Sequence, residues 1–276
     1  MIRLLKIELS KILPYSTFWV LSGITFGIYF FFLLIGSQIN FNFDGIDINV
    51  YFRFPTVWQT IAYYSSWFNL LLVLLVIILI GNEFNFKTFR QNSIDGLSRQ
   101  ELFISKLLLI TLFAFVAFII SFFSALIIGI TYSNNVGSDY ILHEIYFVFV
   151  FFIQSIGFMS IAFLISLLLK NIAASVVVFI GAYIFELIIR AFFAIMSISW
   201  GQYLPFKVLS NLCDAPSLNK MLTNPMLKES IANATSTAQA SGQFTDVNFG
   251  VNMVLSLSYI AVFLYFSYLI LKKKDL

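Results

Sequence analysis

Residues Gly81–Leu108, GNEFNFKTFRQNSIDGLSRQELFISKLL, crowd Glu83, Lys87, Arg90, Asp95, Arg99, Glu101 and Lys106 between two apolar runs. FNLLLVLLVIILI (Phe68–Ile80) precedes the stretch and LLLITLFAFVAFIISFFSALIIGI (Leu107–Ile130) follows it. Such runs lack the apolar–polar alternation of a membrane barrel strand. They suit helices crossing a hydrocarbon core of about 30 Å, which takes roughly 20 mostly apolar residues. The polar stretch therefore reads as a junction between two spans, either an ordinary loop or a handle for a partner.

The rest of the chain repeats the pattern. It has 276 residues, 60% hydrophobic and 11% charged, with 34 Phe and a mean hydropathy of +0.94. An average soluble domain is about a quarter charged, so too few charges are present to cover a globule of this size. The fold class expected is an all-α integral membrane protein, 1–276 forming a single transmembrane domain. Six spans are expected: Phe18–Ile35, Ser65–Ile80, Leu107–Ile130, Ile145–Leu169, Ile172–Ser197 and Val251–Leu271. A start nearer Val57 is the second reading of span two, since VWQTIAYYSSW is aromatic and interfacial in character. With the N-terminus in the cytoplasm, 11 Lys and Arg fall inside and only Arg53, Lys207, Lys220 and Lys228 outside, with Arg190 in a span. That positive-inside bias places both termini and the Gly81–Leu108 stretch in the cytoplasm.

Residues 1–13, MIRLLKIELSKIL, set Ile2, Leu5, Leu9 and Ile12 at helical spacing, an amphipathic helix suited to the inner headgroup layer. A cleaved signal peptide is not expected, because the apolar run from Phe18 is long and no A-x-A-like site follows. The turn Lys170-Asn171 makes spans four and five a tight hairpin. The extracytoplasmic loop 198–250 opens with SWGQYLPFKVLSNL, amphipathic enough to dip back into the membrane, and continues as the small, polar NATSTAQASGQFTD. Gly36–Pro55 alternates apolar and polar residues and reads as partly extended.

Catalytic constellations are missing. HEIYF (His143–Phe147) starts like H-E-x-x-H, but Phe147 stands where the second His belongs. One His and one Cys, Cys213, cannot supply a structural zinc site. There is no G-x-S-x-G and no phosphate loop. No catalytic residue, metal site or cofactor is expected in this chain, and a net charge of +3 gives no reason to expect nucleic acid. Glu186 and Arg190, i and i+4 inside the fifth span, mark either a polar point on a substrate path or a self-satisfied pair.

Within the junction, a helix-like stretch Phe84–Ser93 leads to a turn at Asp95-Gly96. Ser98 and Glu101 then form the S-x-x-E capping box that starts the next helix. The order E-x(4)-T-x-R, then G-x-S-R-x-E, then K-L resembles the membrane subunits of type-2 ABC exporters, which share the G-subfamily (type V exporter) fold. It rests on Glu83, Thr88, Arg90, Gly96, Ser98, Arg99, Glu101 and Lys106; Lys87 replaces the usual Gly before the Thr. The resemblance implies that 84–104 is a cytoplasmic coupling elbow, with Glu83, Phe86, Lys87, Thr88, Phe89, Arg90, Gly96, Ser98, Arg99 and Glu101 meeting an ATPase subunit. It further implies two ABC ATPase subunits carrying ATP and Mg, a second permease subunit, identical or related, and residence among the lipids of the bacterial cytoplasmic membrane. Spans two and five would line the pathway, nominating Phe68, Asn69, Phe179, Tyr183, Glu186 and Arg190. Phe-rich walls favour an amphipathic or apolar cargo such as a peptide, lipid or drug. The alternative is a non-transporting membrane anchor, sensor or immunity protein that borrows the fold.

Overall fold

The computed structural model describes residues 2–38, 42–43, 46–47, 51–94, 96–133, 141–216 and 248–273. The polar run 233–246 and Asp95 lie outside the described residues. The chain is helical almost throughout and reads as an all-α, multi-pass membrane protein. Its helices are α1 (Ile2–Ile12), α2 (Ser16–Gln38), α3 (Val57–Trp67), α4 (Asn69–Asn85), α5 (Thr88–Ile94), α6 (Arg99–Tyr132), α7 (Tyr146–Leu169), α8 (Ile172–Ile195), α9 (Pro205–Ser210) and α10 (Phe249–Lys273). Between α2 and α3, Asn42–Phe43 pairs antiparallel with Ile46–Asp47, which gives the expected extended character a minimal ladder.

Five helices, α2, α6, α7, α8 and α10, are each long and apolar enough to cross a membrane. The pair α3–α4 is long and apolar enough when taken together, but it bends by 41°. The bend falls at Phe68, between the interfacial aromatic stretch and the purely aliphatic one. Of these five, α7 is the most enclosed and α2 and α8 are the least. α7 earns the centre through small and hydroxyl residues: Ser155, Ser160 and Ser166 turn their hydroxyls onto carbonyls four residues back. They then present little bulk to neighbouring helices, as close packing in a membrane favours.

Two ends of the bundle can be told apart. One, the α1 end, carries α1, α5, the Lys170-Asn171 turn and the end of α10. The other, the far end, carries the Phe54 turn and residues 198–216. At the α1 end the expected capping box is present: Glu101 N–H donates to Ser98 Oγ at 3.2 Å, and Ser98 N–H to Glu101 Oε2 at 2.8 Å. The two-residue turn is also as expected. α7 stops at Leu169, and Asn171 caps α8 by accepting from the Ala174 N–H at 3.2 Å.

α1 differs from its expected orientation. Its buried line is Leu4, Glu8 and Ile12, packed on α6, while Leu5 and Leu9 are half-buried. The helix thus turns a carboxylate inward, and the reason lies in what it meets there.

Candidate functional site

The junction helix α5 hangs between α4 and α6 on three local devices. Lys87 takes a left-handed backbone (φ 56°) that ends α4, Gly96 takes φ 92°, and the capping box restarts the chain as α6. Glycine is the residue best suited to such backbone. The position where Lys87 replaces the resembled family's Gly is one of these left-handed positions.

Behind α5 lies a buried ion cluster. Lys106, 1% exposed, places Nζ 2.6 Å from Glu8 Oε2 and 2.5 Å from Glu83 Oε1. Lys11 Nζ reaches Glu83 Oε1 at 3.4 Å and Glu8 Oε1 at 3.7 Å, and Ser105 Oγ donates to Glu8 Oε1 at 3.0 Å. Two acids and two bases balance. Burial pushes the Glu8 carboxyl up, but Lys106, Lys11 and Ser105 outweigh it and hold the group below its ordinary value of 4.5. α1, α4 and α6 are joined at this point.

The nominated elbow residues divide accordingly. Glu83 is buried in the cluster rather than offered to a partner, and Thr88 Oγ1 donates to its carbonyl at 3.3 Å. Phe89 is also turned inward: it stacks on Phe84 at 4.7 Å between centroids and lies 5.3 Å under Lys106 Nζ. Arg99 bonds the carbonyls of Leu271 and Lys272 at 3.1 and 3.2 Å, closing the C-terminal end of α10, where a cation is favoured. The exposed face is left to Phe86 (68% exposed), Lys87, Arg90, Ile94, Gly96 and Ser98, with Glu101 half-exposed in its box.

At the far end, residues 199–213 fold back into the bundle as a 3-10 turn (Ser199–Tyr203), α9 and a second 3-10 turn (Asn211–Cys213). The segment is packed inward: Phe206, Val208, Leu209, Leu212 and Cys213 are buried. Short helices leave their terminal N–H and C=O groups unmatched, and backbone at membrane depth is tolerated only where protein satisfies it. Here spans supply the partners. Glu186, 6% exposed, accepts from the Phe206 N–H at 2.9 Å and the Lys207 N–H at 2.7 Å. Gln154 Nε2 donates to the Leu209 carbonyl at 3.0 Å, Asn252 Nδ2 to Val208 at 3.1 Å and Gln59 Nε2 to Asp214 at 3.2 Å. Gly157 gives Leu209 its seat: a Cβ there would lie 2.4 Å from Leu209 Cδ2. Glu186 stands nine residues before Ile195, so the segment reaches about 14 Å along α8 at 1.5 Å per residue.

The nominated pathway residues are only partly brought together. Asn69, Phe179 and Tyr183 share the wall of a ≈ 510 Å³ cavity with Gln154, Phe158 and Lys207. Asn69 is held there by Gln154 (3.1 Å) and Ser155 (2.8 Å). Phe68 faces away, packing edge-on against Tyr29 at 5.3 Å. Of the two readings of Glu186 and Arg190, the self-satisfied pair is not found: among the described residues no ion pair joins them, and the carboxylate is occupied by α9. Arg190 instead lines a second recess, of ≈ 590 Å³. Gln154, Asn252 and Gln59 were missed at the level of sequence. Each was visible as a lone amide in or beside an apolar run. No protein-family model matches the chain, and no curated protein matches it.

Proposed function

We propose that the chain is the permease subunit of an ATP-driven exporter, working as a dimer with separate ATPase subunits that bind ATP and Mg. The observation that carries this reading is the junction: a short helix held rigidly between α4 and α6, braced from behind by the Glu8–Lys11–Glu83–Lys106 cluster, with Phe86, Arg90 and Ile94 outward. A solvated loop has no use for a buried four-charge brace. A lever that must carry force from a partner into two spans does, and this one also takes α1 with it.

In this reading α3–α4 is one broken span, so the chain crosses the membrane six times with the α1 end in the cytoplasm. The ≈ 510 Å³ cavity beside the break belongs to the cargo path. Its aromatic wall with a few fixed amides suits an amphipathic or apolar cargo. Chemistry resides in the partner, and this chain catalyses nothing by itself.

The test is co-expression with a candidate ABC ATPase subunit from the same genome, followed by purification and an ATP hydrolysis assay. A stable complex is expected whose hydrolysis responds to cargo. Arg90→Glu, at an exposed position, should leave insertion intact and abolish that response. Full coupled activity in the purified Arg90→Glu complex would overturn the reading.

A further inference from the structure

The ≈ 590 Å³ recess at the far end is lined by Arg190, Lys207, Ser197, Ser199, Leu187 and Ala194, among others. Two cations and two hydroxyl residues therefore share one cavity with an aliphatic wall. Arg190 Nε is buried and has no hydrogen-bond partner. The 3-10 turn lies over this side chain: a Cβ on Gly201 would touch Arg190 Cα and Cγ, both at 3.6 Å. Glu186 is the acid near Arg190, but its two oxygens are engaged by the N–H groups of Phe206 and Lys207. Counting Glu186, Arg190 and Lys207, the locality carries one net positive charge. Among the described residues, neither Arg190 nor Lys207 makes an ion pair.

Position says which anion belongs here. Arg190 stands five residues before the end of α8, about 8 Å along the helix, so it lies near an interface rather than at mid-membrane. Trp200 (75% exposed) and Tyr203 stand on the covering turn, as aromatic residues do at headgroup level. Leu187, Ile188, Phe192 and Ile195 are exposed on the same helix and give an acyl chain a surface to lie on. A guanidinium with free donors matches a phosphate oxygen set, and Lys207 adds a point charge. A volume of this size accommodates more than a bare ion.

We propose that this recess binds the anionic headgroup of a membrane amphiphile, its phosphate held by Arg190 and Lys207 and its acyl chain laid along α8. The proposal does not depend on the exporter reading, since it rests only on the recess and the exposed face of α8.

Trp200 makes a direct test possible. The chain is placed in nanodiscs containing phosphatidylglycerol or phosphatidylcholine with brominated acyl chains, and the fluorescence lost in Trp200→Phe defines the Trp200 signal. Brominated phosphatidylglycerol should quench that signal at a mole fraction roughly five-fold lower than brominated phosphatidylcholine, given the attraction of basic residues for anionic lipid. Lys207→Gln should shrink the preference, because its structural contact is through the backbone, and Arg190→Gln/Lys207→Gln should abolish it. Continued protection of the buried Cys213 from maleimide reports that each variant is folded. Inorganic phosphate at millimolar concentration should leave the quenching unchanged. Equal quenching by the two lipids, a preference that survives in folded Lys207→Gln at full size, or displacement by inorganic phosphate alone would each overturn the proposal.

Discussion

At the α1 end of the bundle Glu8, Glu83, Lys11 and Lys106 answer one another side chain to side chain and balance charge for charge, although Glu83 Oε2 is itself without a hydrogen-bond partner. At the far end Glu186 answers backbone N–H groups, and Arg190 is left with a buried nitrogen unmatched. The same kinds of residue thus do two different jobs. The charge-balanced cluster joins α1 to α4 and α6, so its worth lies in mechanical connection. The open arrangement holds a folded-back segment in place and leaves a cation over, so its worth lies in what it can still bind. A buried pair is weak evidence for net stability, but breaking one is costly because a charge is stranded. That asymmetry lets the comparison be broken experimentally, one end at a time.

The largest effect is expected at Lys106. Lys106→Met leaves Glu8 and Glu83 facing each other with only Lys11 nearby, and should cost about 3–5 kcal/mol. Thermal unfolding in detergent would read it. The combined Glu8→Leu/Glu83→Leu/Lys106→Met variant should recover much of the loss; if it is as unstable as the single variant, the stranded-charge account fails. The same tie should titrate. Glu8 is held below 4.5 in the folded chain, so its contribution is complete above that value and is lost as pH falls through the lower folded value. A fluorophore on α1 should gain mobility under acid in the parent chain and show no such transition in Lys106→Met.

A smaller effect is expected at Glu186. Glu186→Ala removes the acceptor of one buried and one partly buried N–H group, at about 1–3 kcal/mol for a buried group left unsatisfied. The loss should be local, because α9 and its flanking turns can lift while the spans remain. Cys213, the chain's one cysteine, is buried at the end of that segment and reports it. Maleimide labelling of Cys213 should rise sharply in Glu186→Ala and less in Glu186→Gln, which keeps one acceptor oxygen. Unchanged labelling would mean that the segment is held by Gln154 and Asn252 alone.

What sequence reasoning reached, and where it stopped, follows the same division. The S-x-x-E box and the two-residue turn at Lys170 are local in sequence, and both are found as expected. Glu8 is different: the lysine that draws it inward is 98 positions away, and a helical wheel drawn on residues 1–13 sees only the apolar Ile2–Leu5–Leu9–Ile12 line. Phe89 is a similar case, since in the seven-residue α5 nothing local says which aromatic faces α6. At Glu186 the i,i+4 spacing to Arg190 allowed a pair as one of two readings, but two backbone N–H groups at a helix start take the carboxylate's oxygens instead. Local rules held where the partner was local.

The smallest expected effect tests how finely the α1 end is adjusted. Lys87 and Lys170 both hold left-handed backbone, at φ 56° and 55°, where a side chain costs about 1–2 kcal/mol that glycine does not incur. Glycine returns about 0.4–1 kcal/mol of this through the freer unfolded chain. Lys87 is exposed, so Lys87→Gly should gain roughly 0.5 kcal/mol from these two terms. Lys170 is not equivalent, because its ammonium sits 5.4 Å over the Phe84 ring, a contact of about 0.5–1 kcal/mol at a partly exposed site. Lys170→Gly should therefore be neutral or slightly destabilising. Paired thermal melts of the two variants check both signs. A gain of equal size at both positions would show that the ring contact contributes nothing, whereas a loss at Lys87 would mean that its side chain has a role at this end beyond its backbone.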